Sequence, residues 1–189
     1  MSGSLKLRPG VVAAKQWLAT ERQKLREQHD SGSPGIQVCT RLTEMLQSVV
    51  LSLFQSAVSD FPQHAEAYKY DVALVALGGF GRADVAPYSD VDLMLLHNQW
   101  TPVEPLAKRL MHDLYDAGLA VGQSVRTTAE AAKLALQDAT IFTALRVIDT
   151  NQMGIAFVLD RTRRVIGVVT DGDIRHAFVR GIKRGQFSL

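Results

Sequence analysis

Two short apolar runs, joined through glycines and aspartates, constrain this chain more than any other feature. Residues 71–77 read Asp-Val-Ala-Leu-Val-Ala-Leu and end at Gly78-Gly79-Phe80-Gly81-Arg82. Ser89-Asp90-Val91-Asp92-Leu93 then opens a second run that continues to Leu96. Apolar runs of this length, bounded by turn residues, read as buried strands. Alternate residues of a strand share a face, so Asp90 and Asp92 point the same way. Two neighbouring carboxylates repel unless a cation lies between them. The glycines let backbone N–H groups approach a phosphate. A Gly-Gly pair alone is usually a turn, and an Asp-x-Asp pair alone is often a solvated strand edge. Together they describe a site for a metal-bound nucleoside triphosphate.

The rest of the chain organises around that site. Val11 to about Gln28 reads as a charged helix, and residues 30–35 form a turn cluster. Ile36, Cys39, Leu42, Met45, Leu46, Val49, Val50 and Leu53 recur at helical spacing, and this second helix ends near Phe61-Pro62. Thr101-Pro102-Val103-Glu104 has the form of a capping box with proline at the first helical position. The helix it opens carries Leu106, Leu110, Met111 and Leu114 on one face and stops at Gly118. A third strand, Leu119 to Val125, follows. Thr127-Thr128-Ala129-Glu130 is a second capping box, opening an alanine-rich helix.

Composition narrows the classes. With 189 residues, 47% of them hydrophobic, the chain can bury one solid core or two small ones. A net charge of +2 argues for neither nucleic acid nor a membrane surface as partner. One cysteine, Cys39, excludes an internal disulfide and suits a reducing compartment. No apolar run is long enough to span a bilayer, and residues 1–10 lack the apolar core of a signal peptide. A cytoplasmic protein is expected. His64, His97, His112 and His176 have no metal-ligand spacing among themselves.

Residues 76–82 (Ala-Leu-Gly-Gly-Phe-Gly-Arg) with 87–93 (Pro-Tyr-Ser-Asp-Val-Asp-Leu) resemble the nucleotidyltransferases of the DNA polymerase β superfamily. In particular they are similar to the N-terminal domain of the bacterial PII uridylyltransferase family, enzymes of nitrogen regulation. Residues 119–127 (Leu-Ala-Val-Gly-Gln-Ser-Val-Arg-Thr) continue the likeness, with Gln123 where that family usually carries histidine. The resemblance covers residues 35–143. It implies a Mg²⁺-dependent enzyme that moves UMP from UTP to a tyrosine of a PII-type signal protein. Asp90 and Asp92 would be the catalytic, metal-holding acids. Gly78, Gly79, Gly81, Arg82, Ser89, Ser124 and Arg126 would contact the nucleotide. Three of them have plainer alternatives: a solvated loop for Arg82, a turn cap for Ser89, a structural ion pair for Arg126. Many polymerase-β-like enzymes place a third carboxylate on the next strand, and residues 121–125 offer none. Asp138, the nearest downstream acid, reads as a surface carboxylate. The family's phosphohydrolase and ACT regions have no counterpart in these residues, so reversal and glutamine control would be lost.

The character changes near residue 145. Met153 to Asp160, a polar turn with Arg161, Arg163 and Arg164, Val165 to Thr170, and a helix from Asp171 read as strand, turn, strand, helix. Gly167, Thr170 and Asp173 match the Gly-h-h-Thr-x-x-Asp ending of a CBS motif (h, apolar), like those attached to sugar-phosphate nucleotidyltransferases. This likeness covers about residues 139–185. It implies ATP or AMP as ligand, held by Thr170 and Asp173. The alternative for both residues is helix capping. CBS units work in pairs and this chain has one, so a homodimer through the unit is expected. The expected architecture is α/β in three parts. They are an N-terminal helical extension (1–34), a truncated polymerase-β-like nucleotidyltransferase core (35–144) and a single CBS-like β-β-α unit (145–189). Three functions stay open: a nucleotidyltransferase, a CBS-type adenine-nucleotide-binding regulatory module, and a fused or incomplete product without catalysis.

Overall fold

A computed structural model describes residues 7–133, 135–137, 141–151, 154–160, 162 and 164–181. The readings of Asp138, Arg161 and Arg163 lie outside the described residues, as does the start of the N-terminal tail. The chain forms two compact units, Met1–Val125 and Arg126–Leu189.

The first unit begins with α1 (Pro9–Asp30) and α2 (Gly35–Ser59), antiparallel neighbours that pack together. The apolar stripe of α2 buries Leu42, Met45, Leu46, Val49, Val50 and Leu53 in the core. A 3₁₀ turn at Pro62–His64 and the short α3 (Ala65–Asp71) lead into β1 (Val72–Ala76). The glycine segment folds as one helical turn, α4 (Gly78–Gly81), followed by β2 (Val91–His97). After α5 (Glu104–Asp116) the chain enters β3 (Val121–Thr127). The three strands make a mixed sheet in the order β1-β2-β3. β1 and β2 run antiparallel, Val72 opposite His97 and Ala76 opposite Leu93. Leu106, Leu110, Met111 and Leu114 of α5 bury as the periodicity predicts, as do Leu93, Met94 and Leu95 of β2. β1 departs from the expected buried strand: it lies at the edge of the sheet, none of its residues is fully buried, and Ala73 and Ala76 are exposed. Near the start of α2, Ile36 is exposed and Cys39 half-buried.

α5 stops as its sequence predicts. Gly118 has φ +85, and its N–H donates to Tyr115 O while Leu119 N–H donates to Leu114 O. This reciprocal pair of bonds ends the helix at a position that only glycine fills without strain. Its start differs from expectation. Val103 is the N-cap, no side chain caps the helix, and proline stands at the second helical position as Pro105. The Thr101 hydroxyl donates instead to Asp71 Oδ2, the Thr101 N–H donates to Asn98 O, and the Tyr68 hydroxyl donates to Pro102 O at 2.9 Å. The bonds to Asp71 and Tyr68 tie residues 101–102 to α3, and the helix begins after them.

A buried ion network holds the helices together. Asp113 of α5 is 0% exposed. It pairs with Arg109 one turn earlier and with Arg8, just before α1, at 3.0 Å. Arg109 Nε also donates to Asp60 Oδ2, just past α2, at 2.7 Å.

The second unit contains α6 (Thr128–Lys133), β4 (Ala135–Gln137), α7 (Ile141–Asn151), β5 (Ile155–Leu159), β6 (Val165–Thr170) and α8 (Asp171–Val179). The capping box at Thr127 and Glu130 forms, with Thr127 N–H donating to Glu130 Oε2 and Glu130 N–H to Thr127 Oγ1. The alanine-rich helix it opens is cut short by β4. Ala135–Gln137 pairs in parallel with Phe157–Leu159, and strand pairing overrides the helix propensity of alanine and leucine. β5 and β6 pair antiparallel with an irregularity at Val158/Leu159. Ala144 and Ile148 of α7 pack with Ala156 and Ile174 into a separate small core.

Candidate nucleotide site

The geometry converges on Asp92. It is the second residue of β2 and is half-buried, while Asp90, just before the strand, is exposed. Burial raises the Asp92 pKa above the usual carboxylate range, and the negative charge of Asp90 raises it further. The two acids are therefore close enough to feel each other, and ionising both in this place costs free energy.

Two glycines make room for the Asp92 carboxylate. Gly78, at φ +54, has no space for a side chain, since a Cβ there would stand 2.9 Å from Asp92 Oδ2. Gly122 of β3 faces the other oxygen, and a Cβ at Gly122 would collide with Asp92 Oδ1. The carboxylate thus lies in a slot between the glycine turn after β1 and the backbone of β3. Strand-interior glycine often marks such a close approach. In the sequence Gly122 is only one residue of a strand without acids, and a glycine inside a strand is the one signal it offers.

The other candidate residues fall as follows. Gly81 cannot carry a side chain because its Cβ would meet Ala76 O at 2.7 Å, so its role is the tight turn. Gly79 lies against Asp84, whose Oδ1 would stand 3.3 Å from a Cβ there. Arg82 is exposed, and its Nε donates to Asp84 Oδ2 at 3.2 Å. Ser89 N–H donates to Ala86 O, closing a turn just before Asp90. Ser124 lies on the Gly122 face of β3 by strand alternation. Arg126 falls in the second compact unit and is half-buried. Among the described residues no group of three or more histidine, cysteine or acidic side chains gathers as a metal centre. No described helix is long and apolar enough to cross a membrane.

In the second unit Thr170 and Asp173 engage each other. The Thr170 N–H and hydroxyl both donate to Asp173 Oδ2 at 2.7 Å, and Asp173 N–H donates to Thr170 Oγ1 at 3.1 Å. This is a capping box at the start of α8. The turn before β6 is held similarly. Asp160 Oδ1 accepts from Thr162 N–H and hydroxyl and from Arg164 N–H, which lowers its pKa.

Comparison with known proteins gives two findings. The CBS domain family matches residues 134–180. Bifunctional uridylyltransferase/uridylyl-removing enzymes match most of the chain. That of Erythrobacter litoralis is 33% identical over 74% of this chain, and that of Stutzerimonas stutzeri 38% over 75%. That of Pseudomonas aeruginosa strain LESB58 is 37% identical over 71%. The chain spans only 16%, 15% and 14% of those relatives' own length. No solved structure matches the chain.

Proposed function

We propose that the first unit is the nucleotide-binding core of a Mg²⁺-dependent nucleotidyltransferase, with UTP as the nucleotide. One observation carries the reading. The Asp92 carboxylate occupies a slot that two glycines leave open, beside a second carboxylate that makes its ionisation costly. A cation bound between the two carboxylates would offset the cost of ionising them both. The likeness to uridylyltransferase/uridylyl-removing enzymes supplies the nucleotide.

The residues present fit a magnesium ion, because hard cations take carboxylate and phosphate oxygens and often only one or two carboxylates. Asp90 and Asp92 would hold it, and when bound it would neutralise charge on the triphosphate. Gly78 and Gly79 would offer backbone N–H groups to the phosphates, Gly81 permits the tight turn that presents them, and Arg82 would add a guanidinium that suits phosphate oxygens. Ser89 and Ser124 would be further contacts on this reading. In the reaction an acceptor hydroxyl attacks the α-phosphorus and pyrophosphate leaves. The resemblance of residues 76–93 and 119–127 to the PII uridylyltransferase family suggests a tyrosine of a PII-type signal protein as acceptor. A second reading rests on the CBS match: residues 134–180 bind ATP or AMP through Thr170 and Asp173, and two copies pair through this unit.

Titration of Mg-UTP and Mg-ATP into the chain and into Asp90→Asn/Asp92→Asn tests both readings. UTP binding that disappears in the double variant supports the transferase core. ATP binding that survives there and disappears in Asp173→Ala moves the function to the CBS unit. Silence from both nucleotides overturns both readings.

A further inference from the structure

The loop between the glycine turn and Asp90 is anchored by a helix that carries none of its motif. Thr43 lies in the middle of α2 and is 3% exposed, a hydroxyl among Leu42, Met45 and Leu46. Its Oγ1 donates to Cys39 O at 2.8 Å, one turn back along the helix. That bond fixes the hydroxyl proton and leaves a lone pair aimed away from α2. Val85 N–H donates to this oxygen at 3.1 Å, across 42 residues of sequence. Val85 is 1% exposed, so its N–H cannot exchange this partner for water.

The chain between Val85 and the glycines is bent to suit. Asp84 N–H donates to Gly79 O at 2.9 Å, and Ala83 has φ +59, left-handed backbone in a residue other than glycine. Such a conformation persists where surrounding contacts over-determine it. Here those contacts are the Thr43–Val85 bond on one side and the Asp84–Gly79 bond on the other. The bend sets Arg82 and Asp84 side by side at the mouth of the glycine turn.

We infer that Thr43 is a positioning residue for the nucleotide site. Through the Val85 amide, its hydroxyl fixes the backbone that presents Arg82 beside Gly78 and Gly79. The inference deepens the nucleotide-binding reading above and rests on it for the role of Arg82. The loop anchor itself is independent of any ligand.

Thr43→Val keeps the shape and removes the acceptor, while Thr43→Ser keeps the acceptor. Limited trypsin digestion, with cleavage after Arg82 followed by mass spectrometry, reads the loop without nucleotide. Titration of Mg-UTP reads the site. Thr43→Val is expected to speed cleavage after Arg82 about tenfold and to weaken Mg-UTP about tenfold, the loss of one buried hydrogen bond. Cleavage after Lys15 and Lys24 of α1 should stay at the parent rate, and Thr43→Ser should stay within about twofold on both readouts. Equal behaviour of the two variants, or faster cleavage at every site alike, overturns the inference. If the parent chain binds no Mg-UTP, the nucleotide reading fails and with it the functional role of Thr43, whereas the cleavage pattern still decides the anchor. Should Thr43→Val not fold, hydrogen exchange of the Val85 amide in the parent chain decides. Protection equal to the buried amides of α2 upholds the anchor, and free exchange refutes it.

Discussion

Replacing Gly122 with alanine isolates the contact on which the site is built. Gly122 has backbone open to any residue, because among the described residues the positive-φ glycines are Gly32, Gly78, Gly118, Gly154 and Gly181. On backbone grounds alone alanine should stabilise the strand by about 0.4–1 kcal/mol, because it restricts the unfolded chain. The obstacle is one atom. A Cβ at Gly122 collides with Asp92 Oδ1, while Asp92 Cγ stands at 3.5 Å and Asp92 Cα at 3.9 Å, ordinary contacts. Forcing the carboxylate aside should cost about 1–3 kcal/mol, as overpacking does elsewhere. Gly122→Ala is therefore expected to destabilise the parent by roughly 1–2 kcal/mol net and to stabilise Asp92→Ala by a few tenths to about 1 kcal/mol. A double-mutant cycle by urea unfolding measures the coupling, expected at about 1–3 kcal/mol. Gly78→Ala is the control. Its φ of +54 is strained for alanine whatever stands at position 92, so it should destabilise both backgrounds. Additivity of Gly122→Ala and Asp92→Ala within about 0.5 kcal/mol would refute the slot around Asp92.

Two further outcomes follow from the charges. Burial and then Asp90 raise the Asp92 pKa, so the folded chain holds that proton more tightly than the unfolded one. The stability this adds is present below the ordinary carboxylate pKa and is lost as pH rises through the raised one. Asp92→Asn should then be the more stable protein at pH 7, by a few tenths to about 1 kcal/mol given that water still reaches the group, and the gain should shrink toward pH 4. Lower stability of the variant at pH 7, by urea midpoint, would sink the argument. Asp113→Ala leaves Arg109 with the half-exposed Asp60 as its remaining carboxylate and should cost roughly 1–3 kcal/mol, whereas Arg109→Met/Asp113→Leu should come out near neutral. A single-variant loss under about 1 kcal/mol in the same assay would show that the network is dispensable.

The difference between what sequence discloses and what it conceals has physical causes. β1 and β2 are readable because short apolar runs end at glycine and aspartate, and the stop of α5 is readable because only glycine suits φ +85. The β-β-α order of β5, β6 and α8 follows from turn residues between apolar runs, and the CBS match covers it. β4 is concealed because three residues of alanine, leucine and glutamine carry no strand signal, and pairing with β5 alone makes the strand. Thr101 reads as a cap because its spacing to Glu104 fits, but spacing is blind to Asp71, which takes the hydroxyl. Asp113 and Arg109 look like an exposed helical pair. Nothing local says that Arg8 and Asp60 close around them. The proximity of Asp90 and Asp92 is written in their spacing, whereas the need for glycine at position 122 depends on a strand brought alongside from far down the chain.

The two candidate nucleotide regions differ in how their local chemistry is settled. Around Asp92 several local rules are broken together: a left-handed Gly78, a left-handed Ala83, a glycine inside a strand, and a carboxylate pushed toward its protonated form. Departures from local consistency gather where structure serves something other than stability. At Thr170 and Asp173 the opposite holds. The hydroxyl, the carboxylate and two backbone N–H groups satisfy one another at the start of α8, and a threonine and an aspartate are what a helix start requires there. Both accepted bonds fall on Asp173 Oδ2, so a ligand taking that oxygen would have to replace them and would weaken the cap. A ligand at Asp92 would instead relieve a cost that folding leaves standing. That asymmetry favours the first unit as the seat of nucleotide binding, and on the CBS reading it directs ATP or AMP to Asp173 through Oδ1, the oxygen outside the Thr170–Asp173 cap.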